Sequence, residues 1–478
     1  MKVLFAASEA YPLIKTGGLA DVAGALPAAL RDLDIDARLI IPAYPQVENF
    51  IKITDEPIDL GDPLGAGPTR LLRAVGPDGK VPIFLVDCPT LYDREGGPYV
   101  NPKGEDWADN HLRFGLLCRA AATICTSGAI FGWQPDVFHG NDWQTGLTAA
   151  HLVQWGGRRT ATVFTIHNLH YQGLFDPSVL PAVGLRQESF GLHGVEFHGM
   201  VSFLKAGLQY SDRLTTVSPT YAREIQGPAF GRGLDGLLAG RSRELKGVLN
   251  GVDYALWDPA NDPAIPASYS AKNLAGKKKA KAALRETMGL APDHDGPVIG
   301  IVSRMTEQKG LDLVLAAIPH CLTQGAQVCI LGSGDSWLED GFKFAQEINP
   351  GMIGVRIGYD ENLAHLMVAG SDCFLVPSRF EPCGLTQLYA LRYGTIPLVR
   401  RTGGLADTVE DAGTEGSGTG FLFDHATPDD VVWTVGRAVD YFNKPSIWKS
   451  LQQRAMAKDF SWQRAAEAYL ATYNEIVW

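Results

Sequence analysis

At 478 residues the chain exceeds what one hydrophobic core usually organises, so length alone points to two domains. Hydrophobic residues make up 45% and charged residues 20%, an ordinary composition for a soluble protein, and no apolar run is long enough to span a bilayer. The 42 basic and 53 acidic residues leave a net charge of −11, which argues against a broad nucleic-acid surface and requires any anionic ligand to meet a local basic site.

The start, MKVLFAASEAYP, reads as a first β-strand rather than a signal peptide, since Glu9 follows the short apolar stretch directly. Further strand candidates in the first half are ARLIIPA, VPIFLVD, PDVFH, ATVFTIH and DRLTTVS. Helix candidates such as LADVAGALPAALRDL and HLRFGLLCRAAATICTSGAI lie between them. A turn-rich interval, roughly 227–295, holds GPAFGRGLDG and NGVDYALWDPANDPAIP, and its change of composition predicts a domain boundary near 245–260. After 295 the rhythm restarts with PVIGIVS, QVCILG, IGVRIG, CFLVPS and TIPLVRR, separated by helical segments around 310–323, 336–348, 361–370 and 384–393. The pattern predicts an α/β fold of two doubly wound, Rossmann-like parallel sheets: domains 1–248 and 249–457, followed by a C-terminal helix at 458–478 that is helical in period and aromatic. Ligands of such sheets bind at the carboxyl ends of the strands, and the cleft between the two domains is the expected active site.

Seven scattered cysteines, never spaced as Cys-x-x-Cys, predict reduced thiols and a cytoplasmic setting and offer no zinc cluster. The triplet Asp32-Leu-Asp34-Ile-Asp36 has the form of a metal-binding acidic motif. It falls between the first helix and second strand, where solvated surface acids are the better reading, so no metal is expected. Gly231-Arg-Gly233-Leu-Asp-Gly236 matches a dinucleotide pattern letter for letter but follows Pro-Ala-Phe rather than a strand. The basic run Lys277 to Lys281 reads as a solvated helix face.

The hexapeptide TGGLAD occurs twice, at Thr16–Asp21 and Thr402–Asp407, each time between a strand and a helix. In the first copy Lys15 precedes the glycines, and backbone N–H groups with the positive helix end gather at such a loop, so Lys15, Gly17 and Gly18 form a candidate diphosphate site. On local residues alone a tight turn with an exposed lysine fits as well. Asp21 competes with a phosphate for the helix dipole, and either orients Lys15 or meets a sugar hydroxyl.

Ser8-Glu9, Pro12 and Lys15-x-Gly17-Gly18-Leu19-x-Asp21-Val22 resemble the N-terminal signature of bacterial glycogen synthases and plant starch synthases. The resemblance continues through His139-Gly-Asn141-Asp142-Trp143, Thr165-Ile-His167-Asn168-Leu-x-Tyr171-Gln-Gly173, Phe203-Leu-Lys205, Thr215-Thr-Val-Ser-Pro219 and Asn250-Gly-Val-Asp253. It closes with Ser303-Arg304-Met-Thr-x-Gln-Lys309-Gly310 and Arg379-Phe-Glu381-Pro-Cys383-Gly384-Leu385, and so covers nearly the whole chain.

That resemblance implies a GT-B glucosyltransferase: ADP-glucose as donor, glycogen or another α-1,4-glucan as acceptor, retention of the α configuration, and neither metal nor pyridoxal phosphate. It assigns catalysis to Lys15, His167, Arg304, Lys309 and Glu381. Donor contacts fall to Lys15, Gly17, Gly18, Asp21, Asn168, Asn250, Arg304, Lys309, Tyr359, Glu381, Cys383, Gly384, Leu385 and Thr386. Acceptor contacts fall to Glu9, Tyr92, Asn141 and Asp142, although Asp142 also suits a helix cap before Trp143. The resemblance also sends the last helix back to the first domain. Many GT-B relatives carry a second glutamate eight residues after the first; here that position is Tyr389. UDP-glucose or another donor, and a catalytically silent glucan-binding protein, are the alternatives; a silent protein would be expected to have lost one or more of the five catalytic candidates. The second TGGLAD reads as a turn lining the expected cleft.

Overall fold

A strand covered on both faces needs apolar side chains on both, and the continuous apolar runs of this sequence meet that demand. In the computed structural model, which describes residues 1–156, 160–413 and 417–477, Val3, Leu4, Phe5 and Ala6 are fully buried. The chain separates into two compact units, one formed by Met1–Gly251 with the segment from Trp462, the other by Val252–Ser461.

Unit 1 contains β1 (Lys2–Ala6), β2 (Asp36–Pro42), β3 (Lys52–Ile53), β4 (Ile58–Gly61), β5 (Thr69–Val75), β6 (Pro82–Asp87), β7 (Val137–Asn141) and β8 (Ala161–Ile166). After them come β9 (Leu174–Phe175), β10 (Glu196–Phe197) and β11 (Met200–Ser202), a small antiparallel sheet, and then β12 (Arg213–Thr216) and β13 (Leu245–Gly247). The main sheet runs β13-β12-β8-β7-β1-β2-β6-β5-β3 among the described residues, with β4 also on β5. It is parallel from β13 to β6, while β5 is antiparallel to its neighbours. Strand order reverses between β1 and β7. At such a reversal the loops leaving the two strands diverge to opposite faces and open a crevice.

Unit 2 repeats the principle with β14 (Val298–Val302), β15 (Gln327–Gly332), β16 (Ile353–Ile357), β17 (Cys373–Val376), β18 (Ile396–Arg400) and β19 (Phe421–Phe423). The order is β16-β15-β14-β17-β18-β19, parallel throughout, and the reversal falls between β14 and β17.

The helix Trp462–Asn474 belongs to unit 1 and packs on the helix Gly18–Arg31. Trp462, Ala465, Ala466, Tyr469 and Tyr473 form its buried stripe, at the spacing that places side chains on one helix face.

The basic run departs from its expected exposure. Lys277 is buried, its ammonium donating to the Ala369 carbonyl (2.8 Å) and Thr395 Oγ1 (2.6 Å), and Lys281 pairs with Asp372 at 2.7 Å. Burial pulls the Lys277 amine down to about 7. Helical spacing explains the difference: 277 and 281 are four residues apart and share the inward face, leaving 278 and 279 outside. The acidic triplet is dispersed into ion pairs, Asp32 with Lys80 and Asp36 with Arg31 and Arg38. The Gly231–Gly236 segment follows the helix Pro219–Glu224, with no strand leading into it.

Candidate functional site

In unit 1 the loop after β1 folds around Glu9. This carboxylate is buried and accepts hydrogen bonds from the amides of Thr16 and Gly17. Burial raises its pKa, against the lowering effect of those two amides. The Gly17 amide is therefore occupied from within the chain, and Glu9 serves as the brace of the Lys-Thr-Gly-Gly loop. The amides of Gly18 and Leu19, in the first turn of the helix Gly18–Arg31, have no intrahelical acceptor by the geometry of a helix start. Lys15 and Asp21 form an ion pair of 2.8 Å. Gly17 has an extended backbone, and a Cβ placed on it would meet only Glu9 Oε1, at 3.8 Å. Nothing in the fold requires glycine there; what the missing side chain leaves is open space beside Lys15.

Tyr92 is not at this site. It is buried in the core, its hydroxyl donating to the Arg113 carbonyl at 2.5 Å, so no ligand reaches it. The tyrosine beside Glu9 is Tyr99, whose hydroxyl shares a hydrogen bond of 2.8 Å with Ser8 Oγ and lowers the Glu9 carboxyl. Sequence reasoning missed it, because both tyrosines follow β6 within a dozen or so residues, Tyr92 ending the short helix Pro89–Tyr92 and Tyr99 on the chain beyond it, and only tertiary folding distinguishes them.

Across the strand reversal, β7 ends in Asn141 with Asp142 directly after it, and β8 leads into His167 and Asn168. Asp142 adopts φ 57°, a left-handed conformation that costs a non-glycine residue energy. The compensation is visible: Asp142 Oδ1 accepts from the amides of His167 (2.7 Å) and Asn168 (3.4 Å). It does not cap the short helix Trp143–Thr145 through its side chain. Burial raises the Asp142 carboxyl to about 7, against those two amides. Asn141, fully buried, donates from Nδ2 to the Ala6 carbonyl at 3.0 Å and turns Oδ1 toward His167 Nε2 at 2.9 Å. This orientation gives Nε2 the proton and leaves the His167 Nδ1 lone pair as an acceptor. Burial pulls His167 down to about 3, so the ring is neutral at physiological pH. Asn168 turns its own Oδ1 to the His170 amide at 3.0 Å. Asn250 is buried with no partner for Oδ1 among the described residues.

In unit 2 the loops at the strand reversal bring the cations and the acid together. Lys309, at the end of the loop after β14, reaches Glu381 in the loop after β17: Nζ to Oε2 is 2.6 Å, and the same oxygen accepts from Ser378 Oγ at 2.8 Å. Arg304 lies on the same loop as Lys309, exposed and without an ion-pair partner among the described residues. Beyond Glu381 come buried Cys383, Gly384 with φ +75°, Leu385, and the helix that Thr386 begins. Tyr359, after β16, is 72% exposed and lies outside this hydrogen-bonded cluster.

The second TGGLAD supports the acidic loop from behind. A Cβ on Gly403, which has φ +44°, would fall 1.9 Å from the Glu381 carbonyl oxygen, and one on Gly404 would fall 2.2 Å from that of Cys383. The Gly404 amide donates to the Glu381 carbonyl at 3.1 Å. These glycines are required because backbone lies against backbone, which is a different use from that of Gly17.

Tyr389, at the position of the second glutamate in many GT-B relatives, stacks on Trp257 at 3.9 Å, and His365 covers the other face at 3.7 Å. His365 Nδ1 bonds to Asp262 Oδ2 at 2.8 Å. Burial alone would lower this imidazole; its hydrogen bonds with Asp262 and Glu361 and their negative charges outweigh burial and raise it to about 9. Because the folded pKa lies above the unfolded value near 6.5, the stabilisation is complete below pH 6.5 and lost as pH rises through about 9. His365→Asn is therefore expected to lower the melting temperature clearly at pH 6 and much less at pH 10, measured by thermal unfolding. An equal loss at both would show that the ring's charge contributes nothing.

Among the described residues, no group of three His, Cys, Asp or Glu side chains is placed to hold a metal ion, and no helix is long and apolar enough to cross a membrane.

Comparison with known proteins gives a consistent match. A family model for the starch synthase catalytic domain matches residues 2–240, and one for glycosyl transferases group 1 matches residues 287–449. The chain is 52% identical to the glycogen synthase of Rhodospirillum rubrum over 478 residues, covering 100% of this chain and 99% of the relative. It is 49% identical to that of Paramagnetospirillum magneticum, with 100% and 98% covered. The catalytic domain of starch synthase IV from Arabidopsis thaliana, solved bound to ADP and acarbose, superposes with a TM-score of 0.89 at 31% identity, covering 99% of this chain and 98% of that one. Sucrose-phosphate synthase from Thermosynechococcus elongatus, at TM-score 0.60 and 16% identity over 99% and 98% of the two chains, shares the fold alone. Identity of this extent over the full length, on two sheets whose strand reversals carry the motifs described above, places the chain in the family of bacterial glycogen synthases and starch synthases, glycosyltransferases of GT-B architecture.

Proposed function

We propose that the chain transfers glucose from ADP-glucose to the non-reducing end of an α-1,4-glucan with retention of configuration. The observation that carries this reading is the Lys309–Glu381–Ser378 cluster at the strand reversal of unit 2, with Arg304 unpaired on the same loop. The leaving group is a nucleoside diphosphate whose negative charge grows as the bond from C1 to the phosphate oxygen breaks. Cations aimed at it therefore stabilise the transition state more than the ground state. Arg304 and Lys309 are the residues of unit 2 suited to that role, and Lys15 with the Gly18 amide is the corresponding candidate within unit 1. Glu381, oriented by Ser378 and Lys309, accepts from hydroxyls of the donor glucose, with Cys383, Gly384, Leu385 and Thr386 beside it. Neutral His167 accepts a sugar hydroxyl at Nδ1, and Asn141 and Asp142 hold it in place.

The reaction runs by attack on the face the leaving group vacates. An oxygen–C1 bond forms to the acceptor hydroxyl, the C1–phosphate bond breaks, and the hydroxyl proton passes to the departing phosphate. Cationic side chains supply the charge in this reading, which makes the enzyme metal-independent, and the seven cysteines, held as thiols, suit a reducing, cytoplasmic setting.

Incorporation of labelled glucose into glycogen, from ADP-glucose and from UDP-glucose with a chelator present, tests the proposal. Transfer from ADP-glucose is expected. No incorporation from either donor overturns the assignment, preference for UDP-glucose overturns the choice of base, and loss on chelation overturns metal independence.

A further inference from the structure

We infer that Tyr473, on the returning C-terminal helix, is a positioning residue for the unit 1 site and acts on His167 through buried His139. This inference rests on the reading of His167 given above. His139 is fully buried in β7 and bonded at both ring nitrogens: Nδ1 to the Tyr473 hydroxyl at 2.7 Å and Nε2 to Thr165 Oγ1 at 2.6 Å. Thr165 Oγ1 continues to Thr215 Oγ1 at 2.5 Å, so one file of hydrogen bonds crosses from the terminal helix to β7, β8 and β12. Two residues further on, where Asn141 ends β7 and His167 follows the end of β8, the Asn141–His167 bond repeats the His139–Thr165 bond one layer higher. Residues two apart on a strand share a face, so the lower pair sets the spacing on which the upper pair stands. Asn141 Nδ2 also donates to the His139 carbonyl at 3.4 Å, which ties the two layers directly.

The file has a direction. A neutral imidazole donates from one nitrogen and accepts at the other, and each hydroxyl has one proton, so the choice at one end is transmitted to the next. Burial, followed by the influence of His167, lowers His139 to about 3, which keeps this ring neutral and the file intact. Just past the same end of the helix, two residues after Tyr473, Glu475 pairs with Lys246 and Arg213 and holds the segment through different partners. Docking of the helix and orientation of His139 therefore rest on separate contacts.

The test compares Tyr473→Phe, which removes one oxygen and keeps the ring, with Glu475→Gln, which loosens the same segment without touching His139. Steady-state transfer is measured well below both melting temperatures. Tyr473→Phe is expected to lower kcat about tenfold, the kinetic equivalent of one buried hydrogen bond, with KM for donor and glucan unchanged. Glu475→Gln is expected to leave kcat within twofold. In histidine-labelled protein the ring 15N resonances of both His139 and His167 should move in Tyr473→Phe. Unchanged kcat, an equal loss in Glu475→Gln, or movement of His139 alone would each overturn the inference. The resonances report the relay without turnover, so failure of the relay is distinguishable from failure of the proposed reaction.

Discussion

Lys309→Ala is expected to slow glucose transfer by about 10²- to 10³-fold, the usual effect of deleting one preorganised group that meets charge developing in a transition state. The Lys309–Glu381 pair adds a second expectation. Only 21% of the Lys309 side chain and 7% of Glu381 is exposed, so removing the lysine strands a carboxylate with Ser378 as its remaining side-chain partner. Breaking a fully buried pair costs about 3–5 kcal/mol; the partial exposure of Lys309 makes the cost here smaller. Lys309→Ala should therefore lower the melting temperature as well as the rate. Adding Glu381→Gln should recover much of the stability, since an amide keeps the Ser378 contact without needing a cation. Transfer should stay lost in the double variant, because nothing then meets the diphosphate from that position. Melting temperatures and single-turnover glucose transfer on the three proteins decide the matter. A wild-type rate in Lys309→Ala removes this residue from the phosphate site, and a double variant as unstable as the single one shows that the pair does not hold the loop.

Two glycine-to-alanine substitutions, one in each copy of TGGLAD, should have different effects. Gly404→Ala puts a methyl group 2.2 Å from the Cys383 carbonyl oxygen and 2.5 Å from its Cα, so the backbone that carries Glu381 has to move. Overpacking of this kind costs about 1–3 kcal/mol, and the displaced carboxylate should cost activity in addition. Gly17→Ala meets only Glu9 Oε1, at 3.8 Å, and should melt like the parent. Its effect should be confined to the donor, as a raised KM, because the methyl group fills space assigned to phosphate. Thermal unfolding and donor titration of the two variants read both effects. An unchanged donor KM in Gly17→Ala would leave the first copy as a turn, while an unchanged melting temperature in Gly404→Ala would refute the buttress.

The two sheets were legible because their central strands are short runs apolar on both faces, as in KVLFA and VIGIV, and short length with flanking turn residues tells such runs from buried helices. The edge was not. Strand β5, TRLLRAV, mixes exposed and buried positions, and β13 and β19 have three residues each, too few to show a period. Lys15, His167 and Glu381 stand on loops that leave parallel strands, so chain order is enough to put each at the carboxyl end of a strand in its own sheet. Choosing between Tyr92 and Tyr99 required knowing how the short helix that ends in Tyr92 and the chain after it pack, and that depends on buried Arg113, whose guanidinium donates to the carbonyls of Leu91 and Pro98. Lys277 was misread for a related reason: a lysine stem is apolar enough to be buried wherever its ammonium finds acceptors, and composition does not reveal acceptors.

Unit 1 is discontinuous, and this bears on how the molecule is made. Residues up to Gly251 leave the ribosome first, yet the helix from Trp462 that completes their core follows only after the whole of unit 2. At about 5–20 residues per second, the roughly 200 intervening residues impose a delay of about 10–40 s. During that interval the groove that receives Tyr469 and Tyr473 is uncovered, and His139 lacks one of its two partners. The first half of the nascent chain must therefore persist as an incomplete fold, open to chaperones and proteases, until translation of the second half delivers the last part of its core.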